Sequence, residues 1–193
     1  MKKVVLSIVL GLAVLSTSAQ TTWVADPAHS KVNFTVEHMV ISEVDGNFKT
    51  FEGKMVASKD DFSDAKISFS VDIASVNTDN ERRDGHLQSE DFFYAEKHPK
   101  MTFVSTSFSE KDDSHYSLEG DLTMRGITKK AVFDVKYGGQ AEDGYGNKKA
   151  GFIAKGSINR LDYGVAWNSK TKQGGLTVGE DVEITLKLEM VKN

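Results

Sequence analysis

Strict period-two alternation recurs along this chain, and it limits the fold more than any other feature. In "AKISFSVDIASV" the apolar Ile67, Phe69, Val71 and Ile73 alternate with Ser68, Ser70 and Asp72. "KVNFTVE" repeats the pattern with Val32, Phe34 and Val36, "AVFDVKY" with Ala131, Phe133, Val135 and Tyr137, and "VEITLKLEM" with Val182, Ile184, Leu186, Leu188 and Met190. Side chains on a strand point to opposite faces in turn, so each run reads as a strand with one wet face. Weaker runs near 47–57, 101–109, 115–124 and 149–159 bring the total to about eight or nine strands. Turn-forming stretches such as "KDDFSD", "EKDDS", "GGQAEDGYGNKK" and "KQGG" separate them. The pattern predicts an all-β antiparallel sandwich or barrel. No run is apolar on both faces, which favours one closed sheet around a single interior, an eight-stranded barrel. Alternation does not decide whether that interior is filled by side chains or holds a ligand. Pro27 and Pro99 both fall near strand starts, so strand interiors keep their ladder donors.

One segment, Ser75 to Lys100, lacks alternation. Thr78, Asp79 and Asn80 read as helix-start residues ahead of Glu81–Leu87, and Ser89 as the cap of a second turn at Glu90–Ala95. Gly85 argues against one continuous helix. Two short helical turns lying as a lid across one end of the barrel are expected, since a long insertion among short turns is uncommon. Within it, "DGHLQSEDFF" sets His86 among carboxylates, behind Arg82 and Arg83 and ahead of Phe92, Phe93 and Tyr94. A hydrolase reading would use His86, oriented by Asp84 or Glu90, as base and Ser89 as nucleophile. No G-x-S-x-G elbow supports it. The structural reading has Asp79, Ser89 and Glu90 capping turns, Arg82 and Arg83 paired with nearby acids, and Leu87, Phe92 and Phe93 plugging the lid onto the barrel. The histidines at 29, 38, 86, 98 and 115 include no H-x-x-x-H or H-E-x-x-H pair, and the chain has no cysteine, so no metal site is expected. The glycine-rich "GYGNKK" and "TKQGGLTVG" precede no helix and read as turns rather than phosphate cradles. No cofactor motif is present.

"MKK", the apolar run Val4–Leu15 and "STSAQ" have the charged, apolar and small-residue regions of a secretory signal peptide, with a cut expected after Ala19. The apolar run is shorter than the roughly 20 residues that span a bilayer. No transmembrane anchor is therefore expected after cleavage. Loss of residues 1–19 removes Lys2 and Lys3 from the 24 basic residues, leaving 22 against 28 acidic and a net charge of −6. That balance argues against nucleic acid as partner. Residues 20–193 carry enough apolar material for one domain, and no low-complexity linker divides them. Without cysteine, packing alone must hold that domain together.

The order of motifs resembles the YceI-like family, exported polyisoprenoid-binding proteins with a lipocalin-like barrel. The matching stretches are "DPAHSKVNFTVEHM" (26–39), "GNFKTFEG" (46–53), "ASVNTDNERRDGHLQSEDFF" (74–93), "HPKMTF" (98–103), "GDLTMRGITKK" (120–130), "INRLDYG" (158–164) and "VGEDVEITLKLEM" (178–190). The resemblance implies a hollow barrel whose apolar tunnel binds an isoprenoid or other long-chain lipid. It implies a tunnel lined by Phe34, Phe48, Phe69, Phe103, Phe133 and Phe152, with His86, Leu87, Phe92 and Phe93 at the lid. Arg125 stands where the family more often has His, which puts its head-group chemistry in question. The expected function is non-enzymatic carriage or sequestration, in the periplasm or outside the cell. A lipid- or ester-acting hydrolase and a stress-related scaffold with a filled core are the alternatives. Ligand chain length, delivery partner and oligomeric state, a homodimer included, have no readable signature.

Overall fold

The computed structural model describes residues 20–112, 114–172 and 174–193; the signal peptide expected over residues 1–19 lies outside them. The strands are β1 (Thr21–Ala25), β2 (Lys31–His38), β3 (Ser42–Phe48), β4 (Phe51–Ala57), β5 (Lys66–Asp72), β6 (Val76–Asn77), β7 (Lys100–Asp112), β8 (His115–Met124), β9 (Ile127–Glu142), β10 (Lys148–Asn159) and β11 (Val178–Lys192). The one α-helix among the described residues, α1, spans Glu81–Gln88. Every strand pairing is antiparallel.

Six of the eleven strands join end to end as three long bent ones. β1 pairs with the C-terminal end of β11, Trp23 opposite Lys192, and β2 with its N-terminal part, Ile184 opposite Phe34. In the same way β3 and β4 follow β2 and β1, and β6 and β5 follow β3 and β4. Counted so, eight strands run in chain order around a ring that β1 and β2 close onto β11. This is the eight-stranded antiparallel barrel that alternation predicts. Ring closure pairs β1 and β2 with β11, where an open sheet would present both end strands to other chains.

Local chemistry makes the three bends. At Asp26–Ser30 the first long strand bulges, Asp26 N–H donating to Glu189 O at 2.8 Å and Ser30 Oγ accepting Glu189 N–H at 3.0 Å. Lys49 and Thr50 bend the second, with Asp72 N–H bonded to Thr50 O at 2.9 Å, and a 3₁₀ turn at Ile73–Ser75 bends the third. Backbone groups freed from the ladder are thereby re-paired rather than left buried and unsatisfied.

The lid differs from expectation. Asn80 Oδ1 accepts the Arg83 N–H at 3.0 Å and caps a continuous two-turn helix that passes through Gly85, beside which there is open space. Ser89 closes this helix, its Oγ donating to His86 O at 2.7 Å, instead of starting a second one. Residues 90–95 form turns because Tyr94 takes φ 54°, a left-handed value that stops helical propagation. Asp79 is not the cap either; its Oδ1 accepts from Asn77 Nδ2 at 3.1 Å.

Candidate functional site

The inward face of the barrel is largely apolar, yet it encloses space. At the end carrying α1 a mouth of about 560 Å³ opens between the helix and the β2–β3 hairpin. Behind it lie three smaller chambers of about 90, 100 and 50 Å³, met in that order down the barrel. Neighbouring chambers share wall residues. Phe34, Leu87 and Phe92 stand between mouth and first chamber, Val32, Met101 and Ile184 between first and second, Phe69, Leu118 and Ala154 between second and third. A long chain threading the axis has only side chains to displace at these partitions. Met101, unbranched and soft, is the easiest of them to move.

All ten residues singled out from sequence lie on these walls. Phe34 borders the mouth and first chamber, with His86, Leu87 and Phe92 beside it in the mouth. Phe48 and Phe93 line the first chamber, their rings 5.9 Å apart. Phe69, Phe103 and Phe133 line the second, and Phe152 the third.

A barrel so rich in phenylalanine stays hollow because four rings lie flat on the wall over strand glycines. Phe34 covers Gly46, Phe69 covers Gly53, Phe103 covers Gly120, and Phe133 covers Gly156. A methyl group at Gly53 would sit 2.7 Å from the Phe69 ring, inside van der Waals contact. Interior strand glycines often mark such close approaches. Gly53→Ala is therefore expected to lever Phe69 off the wall into the second and third chambers. Ring displacement of this kind costs about 1–3 kcal/mol. Calorimetry should show that modest loss, and uptake of an apolar fluorescent dye by the chambers should fall further than Gly85→Ala, a substitution into open space, reduces it.

The far end is closed by aromatic packing. Phe62, on the β4–β5 loop and 1% exposed, stands 5.4 Å from Trp23, 5.6 Å from Tyr137 and 5.5 Å from Phe152. Asp64 holds the loop by accepting from the N–H groups of Ser58 and Lys59, and Tyr116 Oη donates to Asp61 O at 2.8 Å.

Polar groups gather at the mouth. The His86 ring is wedged edge-on between Phe92 and Trp167, at 4.9 and 5.0 Å, and its Nε2 lies 2.9 Å from Asp91 Oδ2. Asp91, not Asp84 or Glu90, is thus its carboxylate. Asp84 instead accepts from Thr78 N–H and Oγ1, while Ser89 Oγ is committed to a main-chain carbonyl. His86 and Ser89 are thus not arranged as base and nucleophile. Arg83 donates to Thr78 Oγ1 and O, each at 2.7 Å, and neither Arg82 nor Arg83 forms an ion pair among the described residues. The expected pairing with acids is absent because Asp84 is already taken by Thr78. Arg125 lines none of these chambers; it donates to Glu90 O and Phe92 O and pins the turn after α1. The head-group question raised by the Arg at that position therefore falls away.

Sequence reasoning passed over the one buried charged side chain among the described residues. Arg160, 3% exposed, opens the 3₁₀ turn Arg160–Tyr163 and borders the first chamber. Its guanidinium donates to the carbonyl oxygens of Gly179, Val165, Trp167 and Val178. Burial pushes its pKa down from the usual value, but arginine starts so high that it stays charged. "INRLDYG" was the available signal, a lone arginine directly after an alternating run. Trp167 left none, because 160–177 has no periodicity.

On the outer seam Asp26, His29 and Glu189 bring three ligand-type atoms within 4.8 Å of one another. Lys149 already sits among them, 2.7 Å from Glu189 Oε1 and 3.8 Å from Asp26 Oδ2. The His29 hydrogen bond, then that from Ala28 N–H, holds the Asp26 carboxyl below its usual value. The arrangement is an ion-pair network that fastens β1 to β10 and β11.

Comparison with known proteins agrees with this architecture. A UPF0312 protein of Staphylococcus aureus (strain MSSA476) is 37% identical over 170 residues, 88% of this chain and 96% of that protein. The crystal structure of the Campylobacter jejuni YCEI protein superposes with a TM-score of 0.71 at 34% identity, covering 81% of this chain and 90% of the other. Burkholderia cenocepacia BcnA shares the fold at 22% identity and a TM-score of 0.73, over 86% and 98% of the two chains. So does a polyisoprenoid binding domain from Saccharophagus degradans, implicated in plant cell wall breakdown, at 13% identity and a TM-score of 0.60, over 89% and 98%. Residues 23–190 match the YceI-like domain, and the chain belongs to the YceI-like family.

Proposed function

We propose that this protein is an exported, non-enzymatic carrier or sequestering protein for a polyisoprenoid or similar long-chain amphiphile. The observation that carries the reading is the file of largely apolar chambers running from an open mouth to an aromatic plug, with Arg160 the only buried charged side chain among the described residues. A flexible apolar chain gains about 0.8 kcal/mol for each methylene it buries, so a tail filling several chambers outweighs its ordering cost. The polyisoprenoid binding domain of the same fold supports the ligand class, and the signal-like N-terminus supports export. Among the described residues no helix is long and apolar enough to cross a membrane.

Mass spectrometry of the protein purified from its native host, before and after organic extraction, tests the reading. A stoichiometric long-chain lipid released only on denaturation is the expected result; a native mass equal to the bare chain counts against it. Blocking the tunnel gives an independent check. Ala154, small and 6% exposed, lies where the second and third chambers meet. Ala154→Phe should abolish NBD-polyprenol binding beyond the first chamber, lowering affinity at least about tenfold, since two lost methylenes already cost that much. Equal binding by the variant would place the ligand elsewhere.

A further inference from the structure

The β2–β3 hairpin beside the mouth ends in a turn whose residues contradict its geometry. Met39 and Val40 take φ 57° and 65°, and Ile41 N–H bonds back to His38 O at 3.2 Å. A hairpin turn with two successive left-handed residues is normally built from Asn and Gly, and a β-branched residue such as Val40 is strained there. Strained placements persist where function requires them. What this one displays is apolar: Met39 is 41% exposed, Val40 59% and Ile41 82%.

A second loop extends the patch. Met39 N–H donates to Thr177 O at 2.9 Å, and Val40 Cγ2 lies beside Gly175. The same loop carries Leu176, 36% exposed, and the exposed Lys170 and Lys172, which have no carboxylate partner among the described residues. The combination is an exposed apolar tip beside exposed lysines, continuous with the mouth through Glu37 and His38.

We propose that this tip docks the barrel on a phospholipid bilayer. Met39, Val40 and Ile41 enter the interfacial zone, and Lys170 and Lys172 meet lipid phosphates, so that the mouth opens toward the acyl region. Exposed apolar side chains beside exposed lysines complement a bilayer, whose apolar interior lies beneath a phosphate-bearing face. The chain's net negative charge gives no long-range pull toward an anionic membrane, so apolar insertion supplies the binding and the lysines orient it. The purpose of docking rests on the carrier reading above; the docking itself does not.

The test is flotation of the purified protein with phosphatidylcholine vesicles, and with vesicles also containing phosphatidylglycerol, beside a Met39→Asn/Val40→Gly variant. That pair suits the turn, so its melting temperature should hold or rise, whereas a structural role for the native pair predicts a fall. Wild type is expected to float and the variant to partition at least about tenfold less. Lys170→Ser/Lys172→Ser should weaken flotation with phosphatidylglycerol more than without it. NBD-polyprenol supplied in solution should bind wild type and the turn variant alike. Docking is refuted by a wild type that stays soluble with both vesicles, by a turn variant that floats equally well, or by a turn variant that loses polyprenol binding in solution. A protein that floats but never binds polyprenol keeps the docking surface and removes the carrier reading instead.

Discussion

Arg160→Ala is expected to destabilise the fold by about 3–5 kcal/mol, the range seen when one member of a buried polar network is removed. The guanidinium gathers the carbonyls of Val165, Trp167, Val178 and Gly179, tying the irregular segment after the 3₁₀ turn to the start of β11. Without it, buried acceptors lose their donors, each at a cost of about 1–3 kcal/mol, unless water reaches them and the mouth loosens. Arg160→Lys should recover less than half of the loss, since one ammonium cannot reproduce a planar fork of donors. Urea unfolding gives the free energies. The mouth has its own reporter, because Trp167 packs on His86 and Phe92. Its emission should shift to the red in Arg160→Ala under conditions where the fold survives. An Arg160→Ala protein as stable as wild type would mean that the carbonyls are satisfied without the charge.

This dependence on one arginine shows where the sequence stops being legible. The barrel could be read because alternation is a local signal: Ile67, Phe69 and Val71 face inward whatever their neighbours do, and eight such runs close a ring. The splitting of three long strands could not, because Asp26–Ser30 and Lys49–Thr50 bend only in answer to partners far along the chain, Glu189 and Ser75. Of the ten wall residues, the six tunnel phenylalanines were reached by an apolar strand face or a family motif, Leu87, Phe92 and Phe93 by the apolar character of the lid, and His86 by the resemblance. Hollowness was beyond both phase and composition, since it depends on which glycine lies opposite which phenylalanine, as Gly53 lies opposite Phe69. Pairing of that kind is invisible until register is known. The lid misled for a local reason: Ser89 is as good a partner for a helix's last carbonyls as for its first N–H groups, and only the left-handed Tyr94 shows which end it serves.

Phe62→Ala should cost about 3–5 kcal/mol, the usual price of truncating a buried aromatic residue, and should also open the far end of the barrel. Phe62 packs on Trp23, Tyr137 and Phe152 and lines none of the chambers itself; Phe152, in front of it, lines the third, so removal of Phe62 leaves the mouth intact. Water would then reach the third chamber from below, and an apolar tail lying there would lose part of its burial. If the ligand runs the length of the file, NBD-polyprenol should bind at least about tenfold more weakly to Phe62→Ala, while a short chain such as NBD-geraniol, confined near the mouth, binds as before. Phe62→Leu keeps most of the plug and should restore both stability and long-chain affinity. Loss of affinity for short and long chains alike would show that the plug supports the whole barrel rather than sealing one end. Unchanged long-chain affinity would confine the ligand to the upper chambers, leaving Phe69 and Phe152 as core residues whose openness has no part in binding.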